Sequence, residues 1–256
     1  MTHPNAFTTF RGIAWRWNPA TRLILTGCYA VCAFLAPGQW TAWGLFCGLG
    51  LFALTNRVFI PVMVKTCLLV APLAFFLILI HGVFISHSGP VLASVAGIEI
   101  SQNGVFTALR LLGRISTALA TSLLFIITTS TPHLTAALAQ RGVHPTLIYI
   151  LCSTFQLLPQ LRKRAIRIQQ AQMARGMETT GSPWRRIQAL QALIMPLVLG
   201  ALVDVEERAI ALEARGFSRK GYKSTLYDIP DPASERLMGR LALIAVLAVG
   251  ISRFWI

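Results

Sequence analysis

Carboxylates are what this chain has least of. Its 256 residues include 9 Asp and Glu against 23 Lys and Arg, and only Glu99 precedes Glu178. Acid–base catalysis by paired carboxylates, or a metal site built on them, needs a cluster at one place. Glu206, Glu207 and Glu213 lack a facing His or a second carboxylate at a defined spacing, so they read as a solvated helix face. Charged residues of both signs make up 12% of the chain, where a soluble domain carries about a quarter. The five cysteines, Cys28, Cys32, Cys47, Cys67 and Cys152, form no CxxC pair. Cys28 and Cys32 lie one helical turn apart, but small buried hydrophobes are the better reading of thiols in apolar stretches. His81 and His87 have no acidic or third ligand nearby. No P-loop, GxSxG or HExxH occurs, so ATP hydrolysis is expected in another chain, and no cofactor, metal site or catalytic residue is expected here.

What is present is apolar residue in long runs. The hydrophobic fraction is 55% and the mean hydropathy +0.63, which predicts an all-α polytopic membrane protein. The net charge of +14 then reflects positive-inside loops rather than nucleic-acid binding, for which no motif is present. Met1–Asn18 lacks the apolar core and cleavage site of a signal peptide. Asn18-Pro19 is a helix start, with Asn as cap and Pro in the first turn. Five spans are expected, over 23–36, 40–54, 58–85, 104–129 and 237–256, with 86–103 a loop. The N-terminus and the Asn56-Arg57 turn are basic, whereas the turn at Pro37 and the loop 86–103 carry no Lys or Arg. The N-terminus and residues 131–236 are therefore placed in the cytoplasm. The expected organisation is a membrane domain over 1–130, a coupling domain of long amphipathic helices over 131–236 and a last membrane helix over 237–256. Two apolar segments inside the middle region, 147–158 and 190–203, are below spanning length and read as interfacial or buried.

That polar region contains one triplet twice. Ala174-Arg175-Gly176 and Ala214-Arg215-Gly216 lie forty positions apart. Before the first, Leu161, Ala165 and Ile168 recur at helical steps; before the second, Leu202, Val205, Ala209 and Leu212 do so. The Gly suits a left-handed helix end, where a side chain would clash. Each triplet thus presents a guanidinium at a helix end. Two readings stay open from the residues alone: a cation capping the helix dipole, or a fixed fork of donors offered to a partner carboxylate. Arg110 and Arg114, one turn apart in the fourth apolar run, read equally as an intramembrane polar contact or as side chains snorkelling to headgroups. Arg162, Lys163, Arg164 and Arg167 read as a basic face on anionic lipid.

Several stretches together resemble the transmembrane T component (EcfT/CbiQ type) of energy-coupling factor (ECF) transporters. They are Ala108-Leu-Arg-Leu-Leu-Gly-Arg114, Thr128-Thr-Ser-Thr-Pro132, Ala137–Pro145, Leu157-Leu-Pro159, Gln169–Gly176, Met195-Pro196 and Glu206–Phe217, with Asn18-Pro19-Ala-Thr-Arg22 at the entry. The resemblance covers roughly residues 14–220. One departure is local: members often carry more acidic residues between Leu161 and Gln172, where this chain is basic. The resemblance implies a non-catalytic subunit of a bacterial cytoplasmic-membrane importer. It implies that the subunit joins two cytoplasmic ABC-type ATPases to a small membrane S component that binds a vitamin or metal ion. It further implies that Arg175 and Arg215 are docking arginines at the ends of coupling helices, and that Arg110 and Arg114 are candidates for contact with the S component. A conventional ABC permease would use one coupling loop per subunit, and a membrane scaffold would leave the paired triplets without a role.

Overall fold

A computed structural model describes residues 17–35, 38, 40–85, 91–95, 98–177, 182–219, 221 and 229–254. Eight α-helices account for most of them: α1 Pro19–Leu35, α2 Thr41–Thr55, α3 Phe59–Leu79, α4 Gln102–Thr128, α5 Thr131–Gln140, α6 Pro145–Ala174, α7 Pro183–Ala214 and α8 Ala233–Phe254. The protein is an all-α polytopic membrane protein in its body. The segment expected as a loop before α4 contains a small antiparallel hairpin, β1 Val91–Val95 and β2 Ile98–Ser101. β-Branched and aliphatic residues fill both strands, which a reading based on the absence of a long apolar run passes over.

The chain divides into two compact units, 1–141 with 227–256 and 142–226. The first therefore keeps α5 and the start of α8, which the sequence reading placed with the coupling domain. The reason is packing: α5 lies on α1, and α8 packs along α1 as well.

α4 is the centre of the first unit and packs on α1, α2 and α3. Its buried stripe is Gly104, Ala108, Leu112, Gly113, Ser116, Thr117, Ala120, Thr121, Leu124 and Thr128. These recur at steps of three and four and are mostly small, so neighbouring backbones approach closely. The threonine hydroxyls on this stripe are satisfied within the protein. Thr121 and Thr128 each donate to the carbonyl four residues back, at 2.7 Å. Thr117 Oγ1 lies 2.7 Å from the Gly113 carbonyl and 2.9 Å from that of Ala42 on α2. Trp43 on α2 covers Gly113 and donates its indole N–H to the Leu109 carbonyl at 3.1 Å. Leu49, Ala53, Val58, Val62, Ala120 and Leu124 form the apolar core beside this seam.

Three helical stretches are long and apolar enough to cross a membrane by length and composition: Phe59–Gly82, Gln102–Thr128 and Ala189–Ala214. α1 and α2 have 17 and 15 residues, short of the ~20 that a span usually needs. The third stretch corrects the expectation about 190–203. That segment is not an isolated short element but part of the 32-residue α7, just as 147–158 is part of the 30-residue α6. Pro196 and Pro159 lie inside these helices without ending them, and both helices run on through polar residues where the apolar runs stop. Nor are the segments buried: Leu158, Met195 and Leu202 are all exposed within the described protein.

Gly104 shows how tight the first unit is. A Cβ there would strike the backbone carbonyl of His81, in the π-helical turn Ile80–Ile85 that continues α3. Gly27, by contrast, has nothing within 4 Å of a Cβ. Gly104→Ala should cost about 1–3 kcal/mol through overpacking, whereas Gly27→Ala should be neutral or stabilising by up to about 1 kcal/mol. Thermal unfolding of the purified protein in detergent checks both, and equal midpoints for the two variants would contradict the α3–α4 packing.

Candidate functional site

Both triplets end their helices in the same way. Arg175 is the last half-helical residue of α6, with φ −87°, and Gly176 follows at φ +86°. Arg215 closes α7 with φ −84°, and Gly216 follows at φ +70°. The hydrogen bonds form a Schellman motif at each end. Gly176 N–H donates to Met173 O at 3.0 Å and Met177 N–H to Gln172 O at 3.1 Å. At the second end, Gly216 N–H donates to Glu213 O and Phe217 N–H to Leu212 O, both at 2.9 Å. Only glycine adopts this left-handed φ without strain. Both Arg-Gly pairs therefore stand where the sequence places them.

At each end backbone N–H groups engage two carbonyls of the last turn, those of Gln172 and Met173 and those of Leu212 and Glu213. Arg175 and Arg215 are exposed, as are Ala174, Gly176, Ala214 and Gly216. Neither guanidinium makes a hydrogen bond or ion pair among the described residues. The protein holds an internal comparison in Arg141, which ends α5 before Gly142 at φ +83°. Its guanidinium pairs with Asp231 at 3.1 Å. An Arg-Gly helix end with a nearby carboxylate is thus engaged within the chain, whereas Arg175 and Arg215 have no such carboxylate partner among the described residues.

α6 and α7 are held together by polar contacts that sequence reasoning did not find. Arg164 grips Asp204 through both oxygens, Nη1–Oδ2 at 2.9 Å and Nη2–Oδ1 at 3.0 Å. Its guanidinium lies over Gly200, where a Cβ would meet Nη1 at 2.8 Å. Arg208 donates to Gln160 at 3.1 Å, and the rings of Tyr149 and Phe217 lie 5.4 Å apart. Residues further along α6 meet residues earlier along α7, so the helices run antiparallel. Arg215 then falls beside the region of Cys152, and Arg175 lies some twenty residues further along α6. At about 1.5 Å per residue the two ends are separated by roughly 35 Å along the pair. Arg164 was read as one of four lipid-facing cations; the structure instead assigns it to Asp204, while Arg162, Lys163 and Arg167 are exposed. The bidentate pair has a spacing of forty residues, which no local pattern signals.

Arg110 and Arg114 lie on α4, about 12 and 18 Å along it from Gln102. Both are half-buried, and Arg110 Nε is sealed from solvent with no hydrogen-bond partner among the described residues. They belong to the first unit and the triplets to the second. No group of three or more His, Cys, Asp or Glu that could hold a metal ion occurs among the described residues.

Known proteins share this arrangement of sequence. Residues 11–225 match the family CbiQ, described as "Cobalt transport protein". The chain belongs to that family. It is similar to the energy-coupling factor transporter transmembrane protein EcfT of Bacillus subtilis, at 28% identity over 79% of each chain. EcfT of Listeria innocua is 30% identical over 80% of this chain and 82% of its own length. EcfT of Brevibacillus brevis is 27% identical over 92% of each. A fourth relative, from Bifidobacterium longum, is named a putative ABC transporter ATP-binding protein; it is 27% identical over 71% of this chain, which covers 24% of that longer protein. The protein is thus an ECF-type transmembrane component, a transport subunit of the membrane.

The helix ends make a local prediction. Gly216→Val forces a β-branched residue into a left-handed φ and removes the turn that sets the arginine's direction. The helical content of the purified protein should stay the same. Amide exchange at Gly216 and Phe217 should accelerate by about tenfold or more, equivalent to at least ~1.4 kcal/mol of lost local stability. Unchanged protection would mean that the Schellman end does not depend on glycine.

Proposed function

We propose that this protein is the coupling subunit of an ECF-type importer, in which Arg175 and Arg215 each dock one of two cytoplasmic ABC-type ATPases. The subunit transmits their ATP-driven movement to a small membrane S component that binds a vitamin or metal ion, and it performs no catalysis itself. The observation that carries this reading is the pair of uncommitted guanidiniums on two identical helix ends. An arginine offers a rigid, permanently charged fork suited to a carboxylate. The flanking alanine and glycine add no bulk, so a partner backbone can approach. Two matching ends about 35 Å apart suit two similar partners better than one. The Bifidobacterium relative supports the partnership, since a chain named for ATP binding also contains a stretch similar to this one.

The antiparallel pair bears on orientation. Were α7 to cross the bilayer through Ala189–Ala214 with α6 alongside, Arg175 and Arg215 would emerge on opposite faces. α6 also carries Arg162, Lys163, Arg164 and Arg167 in mid-helix, which a span tolerates poorly. Lying on the cytoplasmic side of the inner membrane, with the basic face on anionic headgroups, the pair keeps both ends accessible to cytoplasmic partners. On the membrane unit, Arg110 and Arg114 sit well inside α4, and Glu99 is the single carboxylate in residues 1–177. Arg110 Nε, sealed from solvent without a hydrogen-bond partner among the described residues, calls for a polar or anionic partner, which the S component would supply.

Removing one member of a buried charge pair costs about 2–5 kcal/mol. Arg175→Ala or Arg215→Ala should each weaken ATPase binding by tens of fold, Arg175→Glu should weaken it more, and the double alanine variant should release both ATPases. The two single effects should be roughly additive, because the sites are distant and use separate partners. Co-purification of the ATPases and the S component, with substrate uptake, checks this; a double variant that keeps its ATPases and transports normally refutes docking. For the membrane unit, Arg110→Leu with Arg114→Leu should lower uptake while the ATPases stay bound. Wild-type uptake by that double variant would reduce both residues to snorkelling cations.

A further inference from the structure

Three of the described helices end on Arg-Gly, and the inward-turned one has a role that docking does not explain. Arg141 Nη2 lies 3.1 Å from Asp231 Oδ1 and 2.5 Å from Thr21 Oγ1, to which it donates. The second Asp231 oxygen accepts from Arg236 Nε at 2.9 Å, and the carboxylate is 9% exposed. Beside it, in the amide orientation that satisfies both atoms, Gln140 donates to Ile229 O at 2.9 Å and accepts from Ile229 N at 3.0 Å. The same return segment is tied to the start of α1. Asn18 donates its side-chain N–H to Pro230 O at 3.4 Å and its backbone N–H to Glu235 at 2.7 Å. Asn18 and Thr21 are fully buried, and Gln140 and Arg236 lie at the exposed edge of this polar knot.

The place of these residues in the chain gives the knot its meaning. Gln140 and Arg141 are the last residues before the chain leaves the first unit, and Ile229 and Asp231 come just after it returns at 227. The outgoing and incoming connections of the second unit are therefore bonded side by side, and both are bonded to α1. A body attached by two independent strands turns on either of them and transmits little. A body whose two strands are pinned together turns about one point, and its displacement is delivered to whatever that point is fixed to.

We propose that Gln140, Arg141 and Asp231 are positioning residues that clamp the two connections into a single pivot, through which movement of the second unit reaches the membrane helices. The proposal rests on the coupling function above, and one arm of its test does not. For that arm the five native cysteines are replaced and spin labels are placed at the exposed positions Ser122 and Gln169, one on each unit. In a nanodisc without any partner, Asp231→Asn should broaden the distance distribution between the labels, and Asp231→Glu should narrow it again. In the second arm the complete transporter is reconstituted in vesicles. Asp231→Asn and Gln140→Ala should keep both ATPases and their hydrolysis rate, yet lower substrate uptake per ATP hydrolysed by about tenfold or more, within the usual range of coupling between sites. Asp231→Glu should recover most of it. An unchanged distance distribution, or unchanged uptake per ATP, overturns the pivot. Loss of insertion or of the ATPases in all three variants, including Asp231→Glu, also overturns it, because the knot is then only structural. If the Arg175 and Arg215 variants keep their ATPases, docking fails while the label distances still decide the pivot.

Discussion

Asp231 holds two guanidiniums, one on each of its oxygens, in a protein with very few carboxylates to spare. Breaking one side of such a shielded pair leaves a charge with poor solvation, so the arrangement is specific even where its net contribution to stability is small. Its neighbours are as constrained. Asn18 caps α1 through its side chain, accepting from Ala20 N–H at 2.9 Å, while its own backbone N–H is taken by Glu235. Arg22, one turn on, donates to the Trp17 and Thr128 carbonyls at 3.0 and 2.8 Å. The start of α1, the end of α4, the end of α5 and the start of α8 thereby converge on one set of hydrogen bonds. Everything that enters or leaves the membrane unit at that end passes through it.

The membrane helices depend on a different constraint, which is close approach in a solvent that does not drive helices together. In lipid, packing must come from van der Waals contact and from polar groups that find partners. α4 answers with a stripe of Gly, Ala, Ser and Thr, and its hydroxyls fold back on its own carbonyls or reach α2. Large side chains from the neighbours fill the space that this stripe leaves, Trp43 over Gly113 being the clearest case.

The two Schellman ends join local backbone chemistry to function. Backbone N–H groups engage carbonyls of the last turn at each end, and Arg175 and Arg215 stand exposed beside them. The α6–α7 pairing then sets their separation, through Arg164 on Asp204, Arg208 on Gln160 and Tyr149 on Phe217.

The sequence by itself determined the membrane class, the helical body, the start of α1 at Asn18-Pro19, and both helix ends at Arg175-Gly176 and Arg215-Gly216. These follow from interactions within a turn or two, or from the burial preference of each residue, and such interactions are written in neighbouring positions. It did not show that 147–158 and 190–203 belong to helices of 30 and 32 residues, because helix hydrogen bonding continues where an apolar run stops. It did not separate Arg141 from the other two Arg-Gly arginines, nor Arg164 from the cations around it. Those distinctions depend on Asp231 and Asp204, ninety and forty residues away in the chain. Only the tertiary structure brings those carboxylates within reach, and so only it decided that Arg141 and Arg164 are paired inside the protein.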